Sequence, residues 1–372
     1  MKEVIYLKDL LNYKLKENLI LKNRFVLAPM TTYSGNDDLT LSDEEERYYN
    51  TRGKEFGMVI TAATAVSLHA QAFTNQISAK SDYYLPSLKR LANTIKSGGA
   101  KAILQLHHGG RMNALGLYEN QDIVSASSIK ANRANAPIPR ALETEEVYQV
   151  IEDFRQAMIL AIKAGFDGIE LHGANTYLIQ QFFSPHSNRR TDEFGGSLEK
   201  RLTLPMMLVD MTIKTRKEFA SEDFIIGYRL SPEELEEPGI TLEDTSRLIG
   251  ELSKRRIDYI HLSLSSYKQS SSRDTSNKEP IINYLKKFNI NHTPFIGVGG
   301  VETKNEALEA LAMGFDLVAI GKAALSDARV VTNILNDKAI KKVIDEDSCL
   351  PTNMKKRISE WSYLKDKGYT VK

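Results

Sequence analysis

Short apolar runs recur along the chain and alternate with segments of helical periodicity. Eight runs have the length and the continuous apolar character of parallel strands that are covered on both faces. Eight strand–helix repeats in one sheet predict a single-domain α/β fold, the (β/α)8 TIM barrel. The predicted strands are Phe25–Ala28, Met58–Ala65, Lys101–Leu106, Gly168–His172, Phe224–Leu230, Tyr259–Leu264, Phe295–Val298 and Leu317–Ile320.

Two of the intervening segments carry clear helix boundaries. Thr144–Ala164 begins with a capping pattern and stops at Gly165, and Thr303–Met313 repeats this arrangement before Gly314. A doubly wound open sheet is the competing architecture, but it would place a Gly-x-Gly-x-x-Gly turn after an early strand. The first strand instead ends in residues 29–32, Pro-Met-Thr-Thr, so the barrel is favoured.

Composition and charge exclude several classes of protein. Of the 372 residues, 42% are hydrophobic and 26% charged, as in soluble globular proteins. The formal net charge of +1 argues against nucleic acid as a partner. Cys349 is the only cysteine, which excludes an intrachain disulfide framework, a Cys-ligated zinc site and a protein-bound iron–sulfur cluster. Without an apolar run of about 18 residues or a signal-peptide pattern, we expect a cytoplasmic protein with no membrane partner.

The active site of such a barrel lies at the carboxyl ends of its strands. The seventh strand runs into Gly299 and Gly300, and the eighth into Gly321 and Lys322. Glycine lets backbone N–H groups approach an anion closely, and the lysine adds a positive charge, so these turns predict a phosphate site. The alternative is that the glycines only make tight strand–helix turns.

A second group of residues follows the fourth strand. His172 and Asn175 can both donate hydrogen bonds toward one oxygen, and Tyr177 carries a phenol that can donate a proton. Reduction of a polarised double bond requires this combination. The alternative is a buried histidine with a satisfied ring and a tyrosine in the core.

Two further strand ends carry polar side chains inside the barrel. Arg229 ends an apolar strand, where a guanidinium is costly unless it meets an anion; an ion pair with Glu170 is the structural alternative. Gln105 offers both a donor and an acceptor to the edge of an amide-like ring. His107 and His108 point to opposite faces of their strand, and we predict no metal site there.

Six motifs occur in order along the chain: Lys22-Asn23-Arg24, Ala28–Thr31, Gln105 with Gly109-Gly110-Arg111, His172-x-x-Asn175-x-Tyr177, Phe183–Ser197, and Gly321-Lys322. In this order and spacing, the sequence resembles the Old Yellow Enzyme family of FMN-dependent ene-reductases (NADH:flavin oxidoreductases). The resemblance covers about residues 5–335. It implies FMN as the cofactor and NADH or NADPH as the co-substrate.

The resemblance also assigns roles to individual residues. Thr31 would bond the ring oxygen next to the reactive flavin nitrogen, Gln105 would hold the pyrimidine edge, and Arg229 would stabilise the anionic reduced ring. The glycines and Lys322 would hold the phosphate. The complete set of implied flavin-binding residues is Ala28, Pro29, Met30, Thr31, Ala63, Gln105, Arg229, Gly299, Gly300, Gly321 and Lys322.

The implied reaction is a ping-pong reduction of the C=C bond of a small-molecule activated alkene, such as an α,β-unsaturated carbonyl compound. His172 and Asn175 would bind the carbonyl oxygen of the substrate, and Tyr177 would deliver the proton. Two alternatives are a flavin-free phosphate-binding barrel enzyme and a non-catalytic FMN-binding barrel. The sequence leaves open whether the chain forms a homo-oligomer.

Three features depart from the family pattern. One branch has Cys at the position of Thr31 and His at the position of Asn175, whereas this chain follows the other branch. Lys322 replaces the more usual Arg, which keeps the charge but loses the bidentate fork. We expect residues 1–335 to form the FMN-binding barrel and residues 336–372 to form a C-terminal tail that packs on the barrel or on a neighbouring subunit.

Overall fold

Eight parallel strands close into a barrel in the computed structural model, which describes residues 7–372. The first strand pairs with both the second and the eighth, so the eight-stranded barrel is closed. The predicted TIM barrel is therefore confirmed. The strands are β1 (Phe25–Leu27), β2 (Met58–Ile60), β3 (Lys101–His107), β4 (Gly168–Gly173), β5 (Ile225–Leu230), β6 (Tyr259–Leu262), β7 (Phe295–Val298) and β8 (Leu317–Ile320).

Helices surround this barrel, and the two whose bounds were predicted agree with the structure. One begins at Thr144 with Glu143 as its N-cap, and the other begins at Lys304 with Thr303 as its N-cap. The helices are α1 (Asp43–Glu55), α2 (Leu85–Ser97), α3 (Thr144–Ala164), α4 (Leu178–Phe183), α5 (Leu198–Arg201), α6 (Thr203–Phe219), α7 (Leu242–Lys254), α8 (Ile281–Leu285), α9 (Lys304–Met313), α10 (Lys322–Ser326), α11 (Val330–Leu335), α12 (Thr352–Ser359) and α13 (Ser362–Lys365).

The continuous second strand predicted over Met58–Ala65 is wrong in extent. Pairing stops at Ile60 and resumes only in the short strand Thr64–Ala65. The reason is a tertiary contact: the backbone N–H of Ala62 donates to the hydroxyl of Tyr49 on α1 (2.8 Å) and not to a neighbouring strand. The chain therefore leaves the barrel wall at this point.

An N-terminal hairpin, Leu11–Lys16 and Leu19–Asn23, carries the Lys22 motif. The ammonium group of Lys22 donates to the carbonyl oxygens of Gly53 (2.9 Å) and Gly98 (2.8 Å), at the ends of α1 and α2. Such contacts satisfy the carbonyl groups that a helix end leaves unpaired. The Lys22 motif is thus structural and precedes β1, whereas the candidate site follows the strands.

The C-terminal segment packs against the barrel helices. Two short parallel strands, Val343–Ile344 and Thr370–Val371, tie its two ends together. The buried guanidinium of Arg52 on α1 donates to the carbonyl oxygen of Ser348 (2.7 Å) and to that of Ala324 (2.8 Å). The division of the chain at 335/336 stays a prediction. Within residues 7–372, no helix has the length and apolarity that crossing a membrane requires.

Candidate active site

A cavity of about 540 Å³ opens beside the carboxyl ends of β1, β5, β7 and β8. Its volume lies within the range of cofactor pockets, roughly 300–1,000 Å³. Most of the predicted flavin-binding residues line it, namely Ala28, Pro29, Met30, Thr31, Arg229, Gly299, Gly300, Gly321 and Lys322. The barrel therefore brings together residues from four separate strand ends at one concave surface.

The glycine turn after β7 has a conformation that other residues rarely adopt. Gly299 has φ = +105° and Gly300 has φ = +81°. A Cβ atom on Gly299 would lie 2.5 Å from the carbonyl oxygen of Ser265. The tight-turn explanation therefore accounts for Gly299 by itself. Gly321 differs, because its Cβ would meet only ordinary contacts with Met30 (3.5 Å) and Ala28 (3.7 Å), which both line the cavity.

Arg229 is buried at the end of β5 and faces the cavity. One of its Nη atoms donates to the Ser263 hydroxyl (3.0 Å), while its Nε atom has no hydrogen-bond partner among residues 7–372. Burial lowers the pKa of Arg229 and the charge of Glu170 opposes this shift, but the Glu170 carboxylate makes its hydrogen bonds to other residues. That carboxylate accepts from Gln105 (2.7 Å) and contacts His261 Nδ1 (3.0 Å). The buried guanidinium thus keeps a donor that no residue among 7–372 uses.

Two predicted flavin-binding residues are not among those that line the cavity. The Gln105 side-chain amide donates to Glu170 inside the barrel. The carbonyl oxygen of Ala63 accepts from Gln76 Nε2 (2.9 Å), and its side chain is nearly buried. Their assignment to a flavin ring stays a prediction.

His172 near the end of β4 and Tyr177 in the loop after it form one cluster, with Asn175 between them in the chain. The rings of His172 and Tyr177 lie with centroids 4.9 Å apart in an edge-to-face arrangement. His107 joins them, at 5.4 Å from His172 and 4.3 Å from Tyr177. In the sheet register, His172 on β4 lies opposite Arg229 on β5, so the cluster and the cavity share one end of the barrel.

Hydrogen bonds orient the donors of this cluster. Because Ser263 accepts from Arg229, its own hydroxyl hydrogen is available to Asn175, whose Oδ1 accepts it at 2.8 Å. The amide nitrogen of Asn175 is thereby directed away from Ser263. The backbone N–H of Ala174 donates to His172 Nδ1 (3.4 Å), which places the hydrogen of the neutral ring on Nε2. Both side chains are therefore set as donors.

The loop that presents Asn175 is held in an unusual conformation. Asn175 and Thr176 both have positive φ, +56° and +64°. Such strain persists only where neighbouring groups fix it. The side chains of Gln180 and Gln181 on α4 do so, since they bond the backbone N–H (3.0 Å) and the carbonyl oxygen (2.7 Å) of Thr176.

The long motif Phe183–Ser197 contributes no residue to the cavity lining and is held by local hydrogen bonds. Asn188 Nδ2 donates to the carbonyl oxygens of Phe182 (2.6 Å) and Phe194 (2.7 Å). Arg190 and Asp192 form an ion pair at 2.6 Å. The motif therefore stabilises the segment that follows α4.

Burial sets the protonation of His172 and Tyr177. Desolvation, reinforced by the neighbouring His107 and Arg229, lowers the pKa of His172 well below 6.5. Desolvation also raises the pKa of Tyr177 well above its ordinary value of 10. Near neutral pH, the cluster thus offers an uncharged imidazole and a protonated phenol.

Several lining or orienting residues were not found from the sequence. Applying the strand-end rule to β6 as well would have identified Ser263. Tyr33 lies only two residues beyond the predicted Thr31 and lines the cavity. No sequence signal placed the tail beside the cavity, yet Lys342, Trp361 and Lys367 line it.

The model of the "NADH:flavin oxidoreductase / NADH oxidase family" matches residues 13–340 of this chain. A probable NADH-dependent flavin oxidoreductase of Bacillus subtilis (strain 168), YqiG, is 41% identical over 334 residues, 89% of each chain. An NADH:acrylate oxidoreductase of Vibrio harveyi is 40% identical over 87% of this chain but only 33% of its own length. This chain thus spans about a third of that relative.

The fold comparison agrees with the sequence comparison. The solved structure of morphinone reductase in complex with tetrahydroNAD has a TM-score of 0.77 to this chain at 26% identity, and the match covers 91% of this chain and 93% of that one. The resemblance to the Old Yellow Enzyme family is confirmed. The chain belongs to the NADH:flavin oxidoreductase / NADH oxidase family of FMN-dependent enzymes.

Proposed function

We propose that this protein takes hydride from NADH or NADPH and reduces the C=C bond of an α,β-unsaturated carbonyl compound or a similar activated alkene. The observation that carries this proposal is the hydrogen-bond pattern at His172 and Asn175, which sets both side chains as donors at the end of the barrel where the cavity lies, with the Tyr177 ring against His172. Acrylate, the substrate in the name of the Vibrio harveyi relative, has the same conjugated C=C–C=O unit.

The residues present fit FMN. The cavity supplies an apolar wall from Ala28, Pro29 and Met30, a buried Arg229 with an unpartnered Nε, and a glycine turn beside Lys322. We propose that Thr31, Ala63 and Gln105 complete the ring site, and that Gly299, Gly300, Gly321 and Lys322 hold the phosphate. When bound, FMN supplies the hydride that it has accepted from the nicotinamide.

Side chains of the protein polarise the substrate, protonate it and stabilise the charge of the ring. His172 and Asn175 donate to the carbonyl oxygen of the alkene, where negative charge develops as hydride reaches the β-carbon. Tyr177 gives its proton to the α-carbon, and burial keeps that proton in place near neutral pH. Arg229 holds a positive charge in the cavity, where it stabilises an anionic ring.

The visible absorption spectrum of the purified protein tests this function. We expect the bands of an oxidised flavin, and a new long-wavelength charge-transfer band when a simple phenol is added. NADH should then bleach the flavin without oxygen, and cyclohexenone should restore it. A protein that stays colourless when FMN is supplied favours the flavin-free phosphate-binding barrel. A yellow protein that neither NADH nor the enone affects favours the non-catalytic FMN-binding barrel.

Replacement of the buried charge tests the role of Arg229. We expect Arg229→Leu to weaken FMN binding or to lower the reduction potential of the bound flavin, because an anionic reduced ring loses its cation. FMN titration of the apoprotein and a dye-coupled potential measurement check this. Unchanged affinity together with an unchanged potential would show that Arg229 serves only the structure.

Substitution of Ser263 tests whether the orientation of the Asn175 amide affects ligand binding. We expect Ser263→Ala to weaken phenol binding about two- to tenfold, the effect of losing one ordinary hydrogen bond. Ser263→Thr keeps the hydroxyl and should restore the affinity. The measurement is the intensity of the charge-transfer band against phenol concentration. Equal affinity in wild type and Ser263→Ala would contradict the orienting role.

The shifted pKa values predict a flat pH profile for alkene reduction. His172 gains a proton only well below pH 6.5, and Tyr177 loses its proton only above pH 10. Neither group changes charge between these limits. We expect stopped-flow rates of alkene reduction to vary less than about twofold from pH 7 to 9. A titration in that window that disappears in Tyr177→Phe would contradict the assignment.

We propose further that the enzyme acts in the cytoplasm on small molecules and binds no nucleic acid, in keeping with its net charge of +1.

A further inference from the structure

The C-terminal tail reaches the flavin cavity, although the family match ends at residue 340. Three tail side chains, those of Lys342, Trp361 and Lys367, lie in the cavity wall beside Gly299–Gly300 and Lys322. These residues come from three different places in the tail. One wall of the cavity is therefore built by a segment that the family match does not cover.

The tail is anchored to the loop that carries the glycine turn. Glu302, two residues after Gly300, bonds the tail twice. Its carboxylate pairs with the ammonium group of Lys342 (2.7 Å) and accepts from the hydroxyl of Tyr369 (2.7 Å). Tyr369 is buried, and the adjacent strand Thr370–Val371 pairs with Val343–Ile344. The position of the tail is thus tied to the glycine turn itself.

The charges at this end favour an anion. The two glutamates in the cavity wall are both engaged, Glu302 by the tail and Glu306 by capping α9, where it accepts from the backbone N–H groups of Glu302 (2.8 Å) and Thr303 (2.9 Å). The lysines in the same wall number three, two of them from the tail. The cavity end beside the glycine turn is therefore net positive.

We propose that residues 341–372 complete the phosphate end of the FMN site, with Lys342 and Lys367 supplying charge and Trp361 supplying an apolar wall. This proposal rests on the proposed function, because it takes FMN as the ligand. Lys342 and Lys367 thereby supplement Lys322, whose single ammonium group lacks the bidentate geometry of an arginine.

The test compares FMN with riboflavin, which has the same ring without the phosphate. The apoprotein is titrated, and binding is followed by the quenching of flavin fluorescence. We expect Lys367→Gln to weaken FMN binding about two- to fivefold at low salt, the effect of losing one exposed charge pair. Lys342→Gln should weaken it more, because Glu302 then loses its partner beside the anion. Riboflavin affinity should not change in either variant.

Lys365, two residues before Lys367, provides a matched control. Lys365 belongs to the same tail but is absent from the cavity wall, so Lys365→Gln should leave FMN affinity unchanged. Tyr369→Phe, which removes one anchor at Glu302 and keeps every charge, should increase the rate at which FMN dissociates.

The outcomes separate this inference from the function on which it rests. Equal FMN affinity in wild type, Lys342→Gln and Lys367→Gln overturns the inference alone. Equal weakening of FMN and riboflavin also overturns it, since the lysines would then act on the ring site or on folding. If the wild-type apoprotein binds neither flavin, the proposed function itself is wrong.

Discussion

Tyr177→Phe should slow alkene reduction by about 10²- to 10⁴-fold while leaving flavin reduction by NADH largely unchanged. The phenol is the acid beside the two oxygen donors, and its raised pKa keeps it protonated at neutral pH. Hydride transfer from the nicotinamide to the flavin needs no proton at carbon. The substitution therefore separates the two half-reactions.

Anaerobic stopped flow measures each half-reaction alone. The bleaching of flavin absorbance by NADH reports the first, and its return after mixing with cyclohexenone reports the second. Tyr148→Phe is the matched control, because it removes only a surface hydrogen bond to Glu193 near the start of α3, and Tyr148 lies outside the cavity wall. Equal losses in both half-reactions would contradict the proton-donor role of Tyr177.

The sequence predicted the barrel well because its signals are local. A parallel strand buried on both faces must be a short apolar run, and a helix that ends in glycine carries its own stop signal. Six of the eight predicted strands keep both ends within one residue of the structure. The second strand was overextended because its end depends on a contact with Tyr49, 13 residues earlier in the chain.

One rule predicted part of the candidate site, namely that the active-site residues of such a barrel lie at the carboxyl ends of its strands. That rule found Arg229, His172 and the glycine turn after β7. It could not show that Glu170 is engaged by His261 and Gln105, because pairing inside a barrel depends on register between distant strands. It also could not place the tail, whose contacts with the glycine loop join residues 67 positions apart, as in the bond from Tyr369 to Glu302.

Asn175→Asp should lower kcat/KM for the alkene by about 10²- to 10³-fold, the usual effect of removing one donor from a developing oxyanion. The carboxylate keeps the size of the amide, and one of its oxygens can still accept from Ser263. Its other oxygen would then face the substrate carbonyl, where it repels the charge that the amide N–H attracts. Phenolate binding should be lost for the same reason.

A second variant separates the effect of charge from the effect of backbone conformation. Asn175 has φ = +56°, which glycine adopts without strain, so Asn175→Gly removes the donor and preserves the loop. We expect Asn175→Gly to lose activity as well, but less than Asn175→Asp, because it adds no repulsion. Steady-state kinetics and the phenol charge-transfer band check both variants. If both variants reduce the enone at the wild-type rate, Asn175 does not bind the substrate oxygen, and His172 alone would have to polarise it.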